Sequence, residues 1–197
     1  MPLGDRPPEP LSSDEVRRLL AACPAETLSG MRDHALIATM WRCGLRCSEA
    51  LQLRLSDVNF AAGTIRVRFG KGRKARTVGA DEALLAVISA WGDARTAAGI
   101  GEGPLFCRIH GQPGAPLSTR YVRQHMARLA VRAGVDHHVR PHGLRHSFAV
   151  DSVREGIPVP LISRQLGHAS VGTTETYLQG LHPAEVVDVY RSRAWPA

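Results

Sequence analysis

Lysine is nearly missing from this 197-residue sequence. Of its 25 lysines and arginines only Lys71 and Lys74 are lysine, both inside the stretch KGRK. A general drift toward arginine does not account for two lysines surviving together in one segment. Lysine can release its proton near neutral pH and arginine effectively cannot, so a retained lysine hints at proton transfer. Grouped carboxylates are missing too: the 18 acidic residues are scattered, which argues against a carboxylate-built two-metal centre. Cys23, Cys43, Cys47 and Cys107 form no CxxC pair and have no tight histidine spacing, so neither a zinc site nor a disulfide framework is expected. Cys43 and Cys47, at i and i+4, read as small apolar residues on one side of a helix. There is no run of 18 apolar residues to cross a bilayer, and MPLGDRPPEP lacks the basic-then-apolar order of a signal peptide. These absences point to a cytoplasmic protein with no membrane partner and no metal or other cofactor.

What is present is positive charge. A formal net charge of +7 favours a polyanionic partner, and with no membrane segment in view nucleic acid is the better expectation. The chain is long enough for one good core but short for two domains, and 44% apolar with 22% charged residues suits a globular fold. After a Pro-rich leader, residues 1–10, LSSDEVRRLLAAC predicts a helix capped by Ser12 or Ser13. MRDHALIATMWRCG predicts a second, stopped by Gly44, and RCSEALQLRLSDV a third. TIRVRFGKGRKARTV has two β-rich runs about a Gly-Lys-Gly centre, the pattern of a hairpin with Ile65, Val67 and Phe69 on one face and Arg66 and Arg68 on the other. Helices are predicted over 81–98, 118–133, 141–156, 159–166, 171–178 and 183–193, with a short strand at 105–107. The fold class is therefore mainly α with a small antiparallel β-sheet on one edge.

Several stretches hold groups able to do chemistry. RPHGLRHSFAV puts His142, Arg145 and His146 at i, i+3 and i+4 behind a helix-starting Pro141, one face with a proton carrier and a fixed fork of donors. On its own this spacing also suits a surface cluster. GLRCSEAL sets Arg46 three residues before Glu49, which suits either an exposed ion pair or an arginine held so that its other donors face a phosphate. Tyr177, one of three tyrosines, follows His168 by nine residues in LGHASVGTTETY. A tyrosine attacking phosphorus needs positive groups for the developing charge and an acid for the leaving oxygen.

Taken in order, Arg46, Lys71, His142 with Arg145, His168 and Tyr177 resemble the tyrosine recombinases, the family of phage integrases and Xer-type resolvases. GLRCSEAL, GKGRKARTV, PHGLRHSFA and LGHASVGTTETY carry the likeness, which extends from about Leu11 to Tyr190. The resemblance implies a tyrosine recombinase catalytic-domain fold over residues 11–197, ending in a helix at about 183–193, without the N-terminal core-binding domain that most members place ahead of it. It implies a site-specific, metal-independent DNA strand transferase in which Tyr177 forms a 3′-phosphotyrosyl link. Arg46, Arg145 and His168 would stabilise the transition state, Lys71 would be the general acid, His142 would assist proton transfer and Glu49 would support the site. The implied partners are a double-stranded DNA recombination site, a homotetramer on synapsed DNA from a monomer in solution, and accessory DNA-bending proteins. Integration, excision and inversion are all within the family's range. The resemblance makes Lys74 a DNA contact; by charge, Arg66, Arg68, Arg73, Arg76, Arg120 and Arg123 are further candidate DNA contacts, with His146 a structural residue or a modest phosphate contact. Two rival functions share these residues: a type IB topoisomerase-like nicking and closing enzyme, and a catalytically silent DNA-binding regulator.

Overall fold

A computed structural model of the chain describes residues 10–68 and 75–168. Its elements run α1 Ser13–Ala21, α2 Leu28–Arg42, α3 Cys47–Ala50, β1 Val58–Asn59, β2 Thr64–Val67, β3 Arg76–Gly79, α4 Glu82–Ala97, α5 Thr119–Arg132, α6 Pro141–Arg154 and α7 Val159–Leu166. The result is mainly helical with one three-stranded antiparallel sheet in the order β1-β2-β3, the class expected from the sequence.

Local chemistry sets the helix starts. Ser12 Oγ accepts the Glu15 N–H at 3.2 Å while the Glu15 carboxylate accepts the Ser12 N–H at 2.8 Å, a reciprocal cap on α1. Asp81 and Ser118 accept from the Leu84 and Tyr121 N–H groups and start α4 and α5, each cap being worth about 1 kcal/mol. Pro141 opens α6, where a missing N–H costs nothing.

Helix α2 is the hub. It buries residues on every side, from Gly30 to Met40, and packs against α1, α4 and α6, as a helix enclosed by others must. In the sheet, Ile65 pairs with Val58 and Val78; all three are buried in the main core while Arg66 faces out. A second, smaller cluster of Ala149, Ile162 and Leu166 fastens α7 to α6.

The expected third helix is shorter than its motif. It stops after one turn at Ala50, and a 3-10 turn, Leu55–Asp57, leads into β1, a strand the sequence reading missed. The reason lies in LQLRL: Leu51 and Leu53 are both buried, a period of two that suits extended chain better than helix. The strand expected at 105–107 is a single bridge, Cys107 to Pro116. Phe69, the helices expected at 171–178 and 183–193 and nearly all of the Pro-rich leader lie outside the described residues.

Candidate active site

Four basic side chains converge from four separate parts of the chain. Arg46 caps α3, Arg76 opens β3, Arg145 lies in the second turn of α6, and His168 follows α7. At their centre is Glu49, 3% exposed. Its carboxylate accepts the Arg46 N–H at 2.9 Å and Arg46 Nη1 at 2.8 Å. From the other side Arg76 donates both Nη1 and Nη2 to it, each at 2.9 Å, the bidentate geometry that makes an arginine–carboxylate pair strong. Arg145 Nη1 stands 3.9 Å from the same carboxylate. Burial pushes the Glu49 carboxyl upward, but the bonds from Arg76 and Arg46 overcome it and hold the pKa down at about 2. Glu49 therefore stays ionised.

Arg145 is completely buried. Nη1 donates to the carbonyl of Gly44 at 2.6 Å, and Nη2 to the carbonyl of Leu166 at 2.7 Å. Both seats depend on how the chain stops a helix. Gly44, past the end of α2, has φ +61, and a Cβ there would lie 2.5 Å from the Phe148 ring and 2.7 Å from Leu166. Gly167 ends α7 with φ +67, and a Cβ there would meet the Arg76 side chain at 2.9 Å. No other residue type fits either turn without displacing a packed neighbour. The turn at Gly167 brings His168 inward, as expected, and the His168 N–H closes it on the Ser163 carbonyl at 3.1 Å.

His168 Nε2 lies 2.9 Å from Arg145 Nη2. A guanidinium only donates, so Nε2 must be the acceptor and the ring hydrogen sits on Nδ1. Burial and then the charges of Arg145, Arg46 and Arg76 lower the His168 pKa to about 4, which keeps the ring neutral near pH 7. His142, on the first turn of α6, is lowered by burial and by Arg145, His146 and Arg46. Three guanidinium charges against one carboxylate leave the cluster with an excess of positive charge. It opens onto a cleft of about 1000 Å³ lined by Arg46, Arg145, His142, Arg123, His138 and Arg140 among others.

Of the other residues singled out in the sequence, Arg66, Arg120 and Arg123 are exposed, and Arg123 alone of these three lines the cleft. Arg68 is tied to Asp57 at 2.6 Å. Arg76 is turned inward onto Glu49 and the Gln165 carbonyl, and His146 is buried in α6. Lys71, Arg73, Lys74 and Tyr177 lie outside the described residues. Sequence reasoning missed the clamp of Arg76 on Glu49 and the cleft residues His138 and Arg140, although HHVR just before α6 was a visible basic run. It also missed Gln165, whose amide bonds both the N–H and the carbonyl of Gly79 and so pins α7 to β3. No group of three or more metal-ligating side chains comes together among the described residues.

Residues 9–182 match the Phage integrase family. The chain belongs to that family. This integrase-family chain is 39% identical over 186 residues to the tyrosine recombinase XerC of Rhodospirillum centenum, covering 89% of this chain and 52% of that protein. The fold is similar to a crystal structure of XerA recombinase, with a TM-score of 0.81 and 29% identity over 95% of this chain and 67% of that one. It is also similar to XerH site-specific recombinase in a post-cleavage complex with its palindromic difH substrate, with a TM-score of 0.77 and 26% identity over 96% and 54% of the two chains. The integrase-family chain spans about half the length of the XerC relative. Among its described residues no helix is long and apolar enough to cross a membrane.

Proposed function

We propose that this chain is the catalytic unit of a site-specific DNA recombinase, cutting and rejoining strands through a 3′-phosphotyrosyl link. The observation that carries the proposal is the cluster of Arg46, Arg145 and His168 set around Glu49, with surplus positive charge at the edge of a wide cleft. A scissile phosphate entering that cleft supplies the negative charge the cluster lacks. Arg46 and Arg145 stabilise the charge that grows on the non-bridging oxygens, and His168, neutral with Nδ1–H, adds a further donor. Glu49 and Arg76 position the two arginines. The Tyr177 oxygen forms its bond to phosphorus as the bond to the 5′ oxygen breaks; Lys71 protonates that oxygen and His142 assists the proton transfer. Attack by a 5′-hydroxyl reverses each step, so rejoining needs no external energy source. The partner is duplex DNA, and recombination of two sites calls for a tetramer of this chain.

A nicked suicide duplex carrying a candidate recombination site tests the proposal. Wild type should yield a denaturant-resistant protein–DNA adduct and Tyr177→Phe none. Lys71→Ala should slow adduct formation more than Lys74→Ala, and a 5′-bridging phosphorothiolate, whose leaving group needs no proton, should rescue Lys71→Ala alone. A Tyr177→Phe protein that still forms the adduct overturns the assignment of the nucleophile. A wild type that binds the duplex but never reacts makes the chain a DNA-binding regulator. If single supercoiled circles are relaxed and paired sites are never exchanged, the topoisomerase-like alternative holds.

A further inference from the structure

A second basic pocket, about 370 Å³, lies between the last turn of α4 and the 3-10 turn that follows α3. Arg54, Ser56, Arg95, Thr96, Gly101 and Gly103 help to line it, and it shares no lining residue with the cleft of Arg46 and Arg145. Arg95 is only 5% exposed. Its Nη2 donates to the Gly101 carbonyl, and its Nε is buried with no acceptor. Among the described residues no carboxylate pairs with it, and Glu102, which lines the same pocket, is exposed and forms no ion pair with it.

The other two buried arginines each have a carboxylate nearby. Arg32 is paired with Asp33 at 2.6 Å, and Arg145 has two backbone carbonyls with the Glu49 carboxylate beyond them. A guanidinium that is largely buried, with one carbonyl as its protein acceptor, is disfavoured unless something supplies the missing charge. Around Arg95 the pocket offers what an anion needs. Arg54 is exposed beside it, Ser56 brings a hydroxyl, and Gly103, at φ +144, holds the loop in a backbone conformation that side chains disfavour.

We propose that this pocket binds a phosphoryl group, with Arg95 and Arg54 supplying the charge. The chemistry suits either a small phosphorylated molecule or a DNA backbone phosphate lying outside the cleft. The test uses the full ¹⁵N-labelled chain titrated with inorganic phosphate, against chloride at matched ionic strength. The Gly101 and Gly103 amides and the Arg95 Nε–H should shift saturably in phosphate. Arg54→Ala, an exposed change that spares the core, should weaken the affinity read at those signals on the order of tenfold, the loss of one charge-assisted contact. Arg95→Lys, which keeps the charge but loses the fork, should weaken it as well. If these signals move no more in phosphate than in chloride, or if Arg54→Ala leaves the curve unchanged, the pocket is not a phosphate site and Arg95 only pins its loop. A short duplex then separates the sources. Duplex that reproduces and competes for the Gly101 and Gly103 shifts identifies a backbone phosphate; shifts that persist in DNA-saturated protein identify a small phosphorylated ligand. Signals of Arg145 and His168 report the cleft separately, so a failure here leaves the recombinase proposal standing.

Discussion

Asp33 and Glu49 are both buried carboxylates that hold arginine, and they differ in whether the charge gathered around them is balanced. Asp33, on α2, takes Arg32 Nε at 2.9 Å and Nη2 at 2.6 Å on one oxygen, and its other oxygen lies 2.6 Å from His125 Nε2. Arg32 further donates to the Cys107 carbonyl and the Tyr121 hydroxyl, and the Tyr121 ring stacks on His125 at 5.6 Å. The space left among Asp33, Tyr121 and His125 is about 10 Å³, no more than one water could use. Arg32 and Tyr121 also line a pocket of about 320 Å³, but the charge that Arg32 brings to it is already balanced by Asp33. Glu49 is as deeply buried, but it holds two arginines with a third beyond them, beside a cleft of about 1000 Å³. Burial of arginine is common to both; an unbalanced charge with a way in marks the site. Arg95 meets the same criterion, and Arg32 does not.

The largest effect that would sharpen this contrast is expected from Glu49→Gln. It removes the anion that aligns Arg46 and Arg76, and adduct formation should fall by roughly 10²- to 10³-fold, the usual scale for losing a preorganised electrostatic group. Breaking the buried pair should also cost about 3–5 kcal/mol of stability, read by urea denaturation. A variant that loses the stability but reacts at the wild-type rate while folded would place Glu49 in the same class as Asp33.

Next in size is Asp33→Asn. It leaves Arg32 buried without its counter-charge, so urea denaturation should show a loss of about 3 kcal/mol. At a temperature where this variant is still folded, the rate of adduct formation should equal that of wild type. A reaction rate that falls along with the stability would mean that the two clusters are coupled through α2, and the distinction between them would fail.

How far this contrast could be read from sequence depends on chain separation. Arg46 and Glu49 are three residues apart, and their reciprocal bonds were within reach of local rules. So were the caps Ser12, Asp81 and Ser118, the burial of Ile65 and Val67, and Pro141 at the start of α6. Arg76 reaches Glu49 across 27 positions, and Arg145 reaches Gly44 across 101. No local period records such contacts. Charge alone therefore offered Arg76 as a candidate DNA contact, and no local rule showed that the fold turns it onto Glu49. In the same way LQLRL was read as helix because α3 precedes it, and the tertiary demand to bury Leu51 and Leu53 decided otherwise. Asp151 shows the same limit: it joins Trp41 and Ser13 from α6, and nothing in its own neighbourhood announces either partner.

The finest test concerns a single proton. His168 in the free protein should titrate near 4 by imidazole NMR, below its ordinary 6.5, with the hydrogen on Nδ1. Because its folded pKa lies below the unfolded one, the unfolded chain binds the extra proton first. The stability owed to a neutral His168 is thus complete above about pH 6.5 and is lost as pH falls through about 4. Glu49 acts in the same direction lower down, its contribution complete above 4.5 and lost as pH falls toward about 2. Duplex DNA changes the sign of the local field. A phosphate beside Arg145 cancels part of the repulsion that depresses His168, so its midpoint should rise by about one unit or more when DNA fills the cleft. A His168 midpoint near 6.5 without DNA, or one that DNA leaves unmoved, would show that the Glu49 cluster carries no usable excess of charge.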